Sequence, residues 1–337
     1  MKGKNIPGNR LPRHAAGSFE LKEGTGPITT MCSCGTFLEV YKQDRTFRVE
    51  TPESIDPDEI NPNAPWVASA VSDVGSSNMI VARILLQGSE MLKGAPFDPP
   101  VDRDAVTIHL HSCKETLLAC EKVAVKITSN IDHIIHQITE SGLTLDNGGR
   151  TINHFPQAID LESDCGAFLI QANRVIKLIC ELPKFFYSLD RPDSSFDHLA
   201  KRLAIAAGEG SPLTTFVRDN ADGIKYLIDL RNFHEHPKQL RTVIDNFRVL
   251  PDCRIQAPMW SIAGDKPSKP RPIKEEMNAA VVFLRDTAEA LLIHLVMQRL
   301  PQNSPYILEE IPKESIDPAA PIKYRLSIDF GKLTFTK

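Results

Sequence analysis

Residues 103–141 read RDAVTIHLHSCKETLLACEKVAVKITSNIDHIIHQITES. Apolar residues fall at Val106, Leu110, Leu117, Ala124, Ile127, Ile131, Ile134 and Ile138. The steps are mostly three, four or seven, the spacing of one helical face. This stretch sets the expected class as mainly α, and the same period recurs further along the chain. A second helix is predicted over about 163–182, striped by Phe168, Ala172, Val175, Ile179 and Leu182 and stopped by Pro183. Ser194 and Ser195 can cap a third through Leu203 to Ala207, which Gly208 and Gly210 end. A fourth starts at Ser211-Pro212, with proline well suited to a first turn, and continues through Phe216, Ile224, Leu227 and Ile228 towards Arg231. A fifth covers about 274–300, and a shorter one about 78–92. The expected architecture is an antiparallel four- to five-helix bundle.

Strand signals are small additions. Phe37–Tyr41 and Thr46–Glu50 flank the polar Gln43-Asp44-Arg45 and predict a hairpin. Val243-Ile244, Phe247-Arg248-Val249-Leu250 and Met259-Trp260-Ser261-Ile262 predict short strands after the fourth helix. Tyr324, Leu326 and Ile328, then Leu333 and Phe335, predict a terminal hairpin around Gly331. The expected organisation is a flexible arm over 1–30, a small α+β region over 31–100, and the bundle over 101–300. The bundle carries an inserted β/loop segment at 240–272, and a β tail covers 301–337. Residues 51–65 read as an irregular loop, and Asn147-Gly148-Gly149 as a turn.

With 337 residues, 42% hydrophobic and 24% charged, the composition excludes a disordered or collagen-like chain. The net charge of −4 excludes a protein that coats nucleic acid by charge alone, so such a contact needs a local patch. Seven cysteines, mostly far apart, suit reduced thiols in a cytoplasmic protein. The first 23 residues lack the apolar core of a signal peptide. The most apolar stretch, 279–296, contains Arg285, Asp286 and Glu289, so it reads as a core helix and no membrane association is expected.

The fourth helix ends in Asp229-Leu230-Arg231-Asn232-Phe233-His234-Glu235-His236-Pro237. On an unbroken helix Asn232 and His236 lie about 40° apart, and Arg231 about 100° from Asn232. Pro237 disfavours the α conformation at His236, so the helix should end or bend there. A histidine at a helix C-terminus can serve as general acid or base. Arg231 offers a forked cation to a phosphate oxygen, and Asn232 can orient either group.

The run Arg-Asn-x-x-x-His, over Arg231, Asn232 and His236, resembles the motif of the HEPN superfamily. The resemblance covers about residues 103–300. It implies a helical, usually dimeric protein, and many such proteins are metal-independent endoribonucleases. In that reading Arg231 and His236 are catalytic, Asn232 supports them, and the RNA 2′-hydroxyl attacks its own phosphate to give a 2′,3′-cyclic phosphate. A homodimer would supply two histidines. The resemblance further suggests a role in stress response or anti-phage defence, and leaves room for a regulatory protein partner. Toxin members often carry a tyrosine two residues after the histidine, where this chain has Lys238, which counts against a nucleotidyltransferase-regulated toxin. Lys238 and Arg241 are expected to contact RNA, with Arg248, Arg254, Lys266, Lys269, Arg271 and Lys274 extending a basic surface. The alternative is a catalytically silent helical dimerisation or binding module for a protein or nucleotide. His234 is a second local candidate off the family pattern.

No metal or cofactor is expected. Cys32-x-Cys34 could begin a metal site, but no second cysteine pair or neighbouring histidine accompanies it. His109 with His111, and His133 with His136, lack an acidic partner in a metal-binding pattern and read as surface or core-edge residues.

Overall fold

The computed structural model describes Arg13 and residues 18–265, 267–302 and 304–329, the side chain of Asn147 excepted. Most of the expected N-terminal arm, Lys266, and the end of the expected terminal hairpin with Gly331, Leu333 and Phe335 lie outside the described residues.

Among the described residues the first elements are strands β1 (Thr30–Ser33), β2 (Phe37–Tyr41) and β3 (Thr46–Glu50), the one-turn helix α1 (Pro52–Ile55), and β4 (Val67–Ser72). A π-helical stretch, Val81–Leu86, leads into α2 (Gln87–Gly94), and then comes α3 (Arg103–Ser141). The two-residue strands β5 (Leu145–Asp146) and β6 (Thr151–Ile152) precede α4 (Leu161–Glu181), α5 (Phe196–Ala206), α6 (Pro212–Asp219) and α7 (Ala221–Glu235). Strands β7 (Arg241–Asp245), β8 (Arg248–Val249), β9 (Ile255–Gln256), β10 (Met259–Ala263) and β11 (Arg271–Pro272) follow. Helix α8 (Ile273–Gln298) and the hairpin β12 (Tyr306–Glu310) and β13 (Tyr324–Ile328) complete the described chain.

This corrects the expected class. About 48% of the described residues are helical and 16% are strand, and they form eight helices and five small sheets, one of them four-stranded and antiparallel. The protein is therefore not a four- to five-helix bundle with incidental hairpins. The reason lies in strands with weak or remote signals. β4 is VASAVS, mostly small or polar, and it completes the sheet in the order β1-β2-β3-β4. β13 pairs with β12, Tyr324 opposite Glu310, across a connection of more than ten residues. The predicted fourth helix is also two. It breaks at Asn220, whose side chain donates to the Phe216 carbonyl at 2.8 Å.

The described residues fall into two compact units, one from Met1–His111 with Arg299–Lys337 and one from Ser112–Gln298. In the second unit α4 is the central helix and packs on α7 and α8. Cys165, Phe168, Leu169, Ala172, Val175, Ile176, Ile179 and Cys180 of α4 are buried, a stripe of three- and four-residue steps. Trp260 on β10 is also buried, its ring 6.3 Å from that of Phe168. Strand β10 lies between β11 and β7.

In the first unit the sheet is covered on both faces. Val40, Phe47 and Val49 pack with Leu21, Leu38 and Ala68 into an apolar cluster. The alternation of a strand sends Phe37, Glu39 and Tyr41 to the opposite face, and Glu39 and Tyr41 are as buried as Val40. Cys32 stands directly opposite Glu39 in the β1–β2 register. The turn between β2 and β3 is clamped by the segment after β4: Ser76 N–H donates to the Lys42 carbonyl and Ser77 N–H to that of Gln43. Gly75 makes the clamp possible. A Cβ built there would lie 2.2 Å from Lys42 O and 2.4 Å from Arg45 N, both backbone atoms that cannot swing away.

Gly75→Ala should therefore lower stability by about 1–3 kcal/mol, the range for overpacking. Gly210→Ala, whose added methyl meets nothing within 4 Å, is the control. Calorimetric melting of both variants checks this, and equal midpoints would remove the clamp argument.

Candidate functional site

Helix α7 presents the motif. Ile224, Leu227 and Leu230 form its buried edge, at steps of three. The helix stops at His236, with φ −130° and ψ 62°, one residue before Pro237, where the α conformation is disfavoured. His236 N–H donates to the Asn232 carbonyl at 2.8 Å, and Thr242 Oγ1 of β7 donates to the Leu230 carbonyl at 2.7 Å. These bonds satisfy carbonyls that a helix end leaves open.

Arg231, Asn232 and Glu235 form one network on the last turn. Arg231 Nη1 donates to Asn232 Oδ1 at 3.0 Å, and Nη2 pairs with the Glu235 carboxylate four residues on. The Nε of Arg231 is buried with no hydrogen-bond partner. The His236 residue is exposed, as are Lys238 and Arg241. Lys238 and Arg241 make no ion pair among the described residues. Elsewhere on the expected basic surface, Arg254 pairs with Asp252, Arg271 with Glu276 and Lys274 with Asp132.

His234 faces elsewhere. A Cβ on Gly166 of α4 would lie 2.7 Å from its Cε1, so the imidazole packs directly over that glycine. His234 lines a cleft of about 630 Å³ with Asp160, Glu162, Ser163 and Asn246. Two acids in that cleft oppose a phosphate by like charge.

A second constellation, in the first unit, was not legible as a set. Cys34, Glu39 and His111 place one sulfur, one carboxylate oxygen and one ring nitrogen within 4.8 Å of one another. His111 Nε2 lies 2.9 Å from Glu39 Oε1, and the Tyr41 hydroxyl donates to Glu39 Oε2. Phe37 meets the His111 ring edge-on at 5.5 Å. Cys32 is hydrogen-bonded to Cys34 and lies 3.8 Å from Ser89 Oγ. The Cys34 bond is the main reason its thiol is brought down to about 7. The Ser89 bond and the Lys93 charge assist, against burial and the Glu39 charge. Tyr41 is driven far up by burial and by the adjacent Glu39 carboxylate. Glu39 and His111 lie 72 residues apart, so no local spacing reveals them. The one available signal is an acid at an inward position of an otherwise apolar strand, Phe37-Leu38-Glu39-Val40-Tyr41. By contrast, His133 and His136 are exposed on α3.

No family model, curated protein or solved structure matches this chain. No helix among the described residues is long and apolar enough to cross a membrane.

Asp229 sits on α7 two residues before Arg231, and burial raises its carboxyl above the ordinary 3.8, opposed by the Lys225 charge. The fold therefore favours its neutral form. Below pH 3.8 the group is protonated in both folded and unfolded chains and costs nothing; as pH rises through the raised folded value the cost grows to its full size. Asp229→Asn should raise the melting midpoint at pH 7 and leave it unchanged at pH 3. A gain of equal size at both pH values would show that charge burial is not its source.

Proposed function

We propose that this chain is a metal-independent endoribonuclease of HEPN type, acting in the cytoplasm as a homodimer. The observation that carries the reading is the arrangement at the end of α7. A half-buried Arg231 is held by Asn232 and Glu235 on the last turn, an exposed His236 follows at the helix end, and downstream stand Lys238 and Arg241, which make no ion pair among the described residues. A guanidinium fixed before substrate arrives stabilises developing phosphate charge without reorganising. The helix end imposed by Pro237 leaves the imidazole in solvent, where a ribose hydroxyl can reach it.

In this mechanism His236 takes the proton of the 2′-hydroxyl as O2′ attacks phosphorus. The O2′–P bond forms and the P–O5′ bond breaks. The departing 5′ oxygen takes its proton from the imidazolium of His236 of a second copy, and the products are a 2′,3′-cyclic phosphate and a 5′-hydroxyl. Arg231 binds the phosphoryl oxygens, Asn232 keeps the guanidinium in plane, and Lys238 and Arg241 hold the flanking backbone. A role in stress response or anti-phage defence, under a regulatory partner, belongs to the same reading.

One observation favours the second reading, a silent binding module: the Arg231 charge is already matched by Glu235. Both readings meet in one assay. Purified protein is incubated with mixed cellular RNA in EDTA, beside folded Arg231→Ala and His236→Ala variants. The nuclease reading expects cleavage that falls by about 100-fold or more in each variant, the scale of a lost acid–base group for His236 and of a lost charge-stabilising donor for Arg231, with cyclic-phosphate ends. RNA left intact by the wild type supports the binding module, and cleavage that survives both substitutions rejects these residues.

A further inference from the structure

We propose that Cys34, Glu39 and His111, with Cys32 as fourth ligand, form a structural site for one zinc-type divalent ion. The inference is independent of the nuclease reading and concerns other residues. Its first support is convergence. The ligands come from a strand (Cys32), the turn after it (Cys34), the next strand (Glu39) and helix α3 (His111), yet three of them place donor atoms within 4.8 Å of one another. The second is burial. Cys32 is 2% exposed, Cys34 5% and Glu39 1%. Buried charge is held in proteins by pairing or by a metal, since isolated burial is costly. The third is donor chemistry. Two sulfurs, an imidazole nitrogen and one carboxylate oxygen suit zinc, whereas magnesium and calcium take oxygen sets.

The fit can be judged from bond lengths. Tetrahedral zinc with bonds of roughly 2.0–2.3 Å sets its ligand atoms about 3.3–3.8 Å apart. The His111 Nε2 to Glu39 Oε1 distance of 2.9 Å must open slightly, and the 4.8 Å limit of the set must close by about 1 Å. In the proposed site both changes fall to side-chain rotation. The surroundings already orient the set. The Tyr41 hydroxyl holds Glu39 Oε2, which directs Oε1 at His111, and Ser89 stands against the Cys32 sulfur. Such outer partners are the usual companions of a metal site. Four protein ligands leave no open position, so the ion is structural and not catalytic. It would tie the β1–β2 hairpin to the start of α3. The other buried thiols, Cys113, Cys120, Cys165 and Cys180, lie outside this set.

The test uses the full-length protein. It is unfolded in chelator and reductant, refolded with or without equimolar zinc, and its metal content is measured after desalting. A parallel sample takes cobalt(II), whose spectrum reports ligand type. The expected result is one zinc per chain, and a tetrahedral cobalt spectrum with thiolate-to-metal charge-transfer bands. Cys34→Ser and His111→Ala should lose the bound ion, and Tyr41→Phe should weaken binding about 10–100-fold, as loss of an outer partner does. Cys253→Ser, at the exposed thiol, should change nothing. The wild-type spectrum stands even where a ligand variant fails to fold. Refolded wild type that retains no zinc, or cobalt bands without thiolate character, overturns the site. So does metal retained by both ligand variants, or a Cys32–Cys34 disulfide in protein purified under reductant.

Discussion

A buried carboxylate governs the first unit. Glu39 sits on a strand covered on both faces, with Val40 beside it in the apolar cluster and its own side chain opposite. Removing a carboxylate from water costs several kcal/mol unless partners replace the lost hydration. Tyr41 and His111 are such partners. This fixes two things at once. A register slip of one residue would turn Glu39 into the cluster of Val40, Phe47 and Val49, so the β1–β2–β3 pairing has little freedom. His111 must face the sheet, so the rotation of the start of α3 is set as well, consistent with burial of Val106 and Leu110 on the same helix. The same polar pocket draws in both thiols of Cys32-x-Cys34.

The end of α7 shows a different kind of constraint. Glu235 lies in the last turn of the helix, where the macrodipole disfavours an acid. Its pair with Arg231 also runs in the less favourable order, cation first and acid four residues later. Helix stability alone would not select this placement. Departures from local preference are expected at functional or strained positions. Here the visible consequence is that Arg231 is held still, by Asn232 on one nitrogen and Glu235 on another. In the proposed nuclease, Glu235 would compete with an incoming phosphate for Arg231, so a preorganised guanidinium would come at some expense of affinity.

The sequence was most readable where structure depends on neighbours three or four residues away. The stripes of α3 and α4 were legible from period alone, and Pro237 marked the end of α7 within a residue. The break at Asn220 was not, because asparagine interrupts no apolar stripe and its capping bond to Phe216 exists only once the turn has formed. β4 was hidden because its alternation is nearly flat, and β12 because its partner lies beyond a long connection. The same divide separates the two sites. Arg231, Asn232 and His236 fit within six residues, so spacing sufficed to single them out. Cys32 and Cys34 looked isolated because the histidine near Cys34 arrives on a helix, with only the misplaced acid of β2 to announce it.

The cysteines make the point in chemical terms. Cys113, Cys120, Cys165 and Cys180 are buried among helices, and burial pushes each thiol up to about 12. Cys32 is as inaccessible as these, yet its thiol moves the opposite way, to about 7. Burial therefore does not decide the state of a thiol in this chain; the hydrogen bonds and charges around it do, with Cys34, Ser89 and Lys93 outweighing desolvation. Four thiols are apolar filling for the helical core, and the pair in the sheet belongs to a polar pocket built by β2 and α3. Counting cysteines could not separate the two groups, because the separation is made by contacts that only the folded chain brings together.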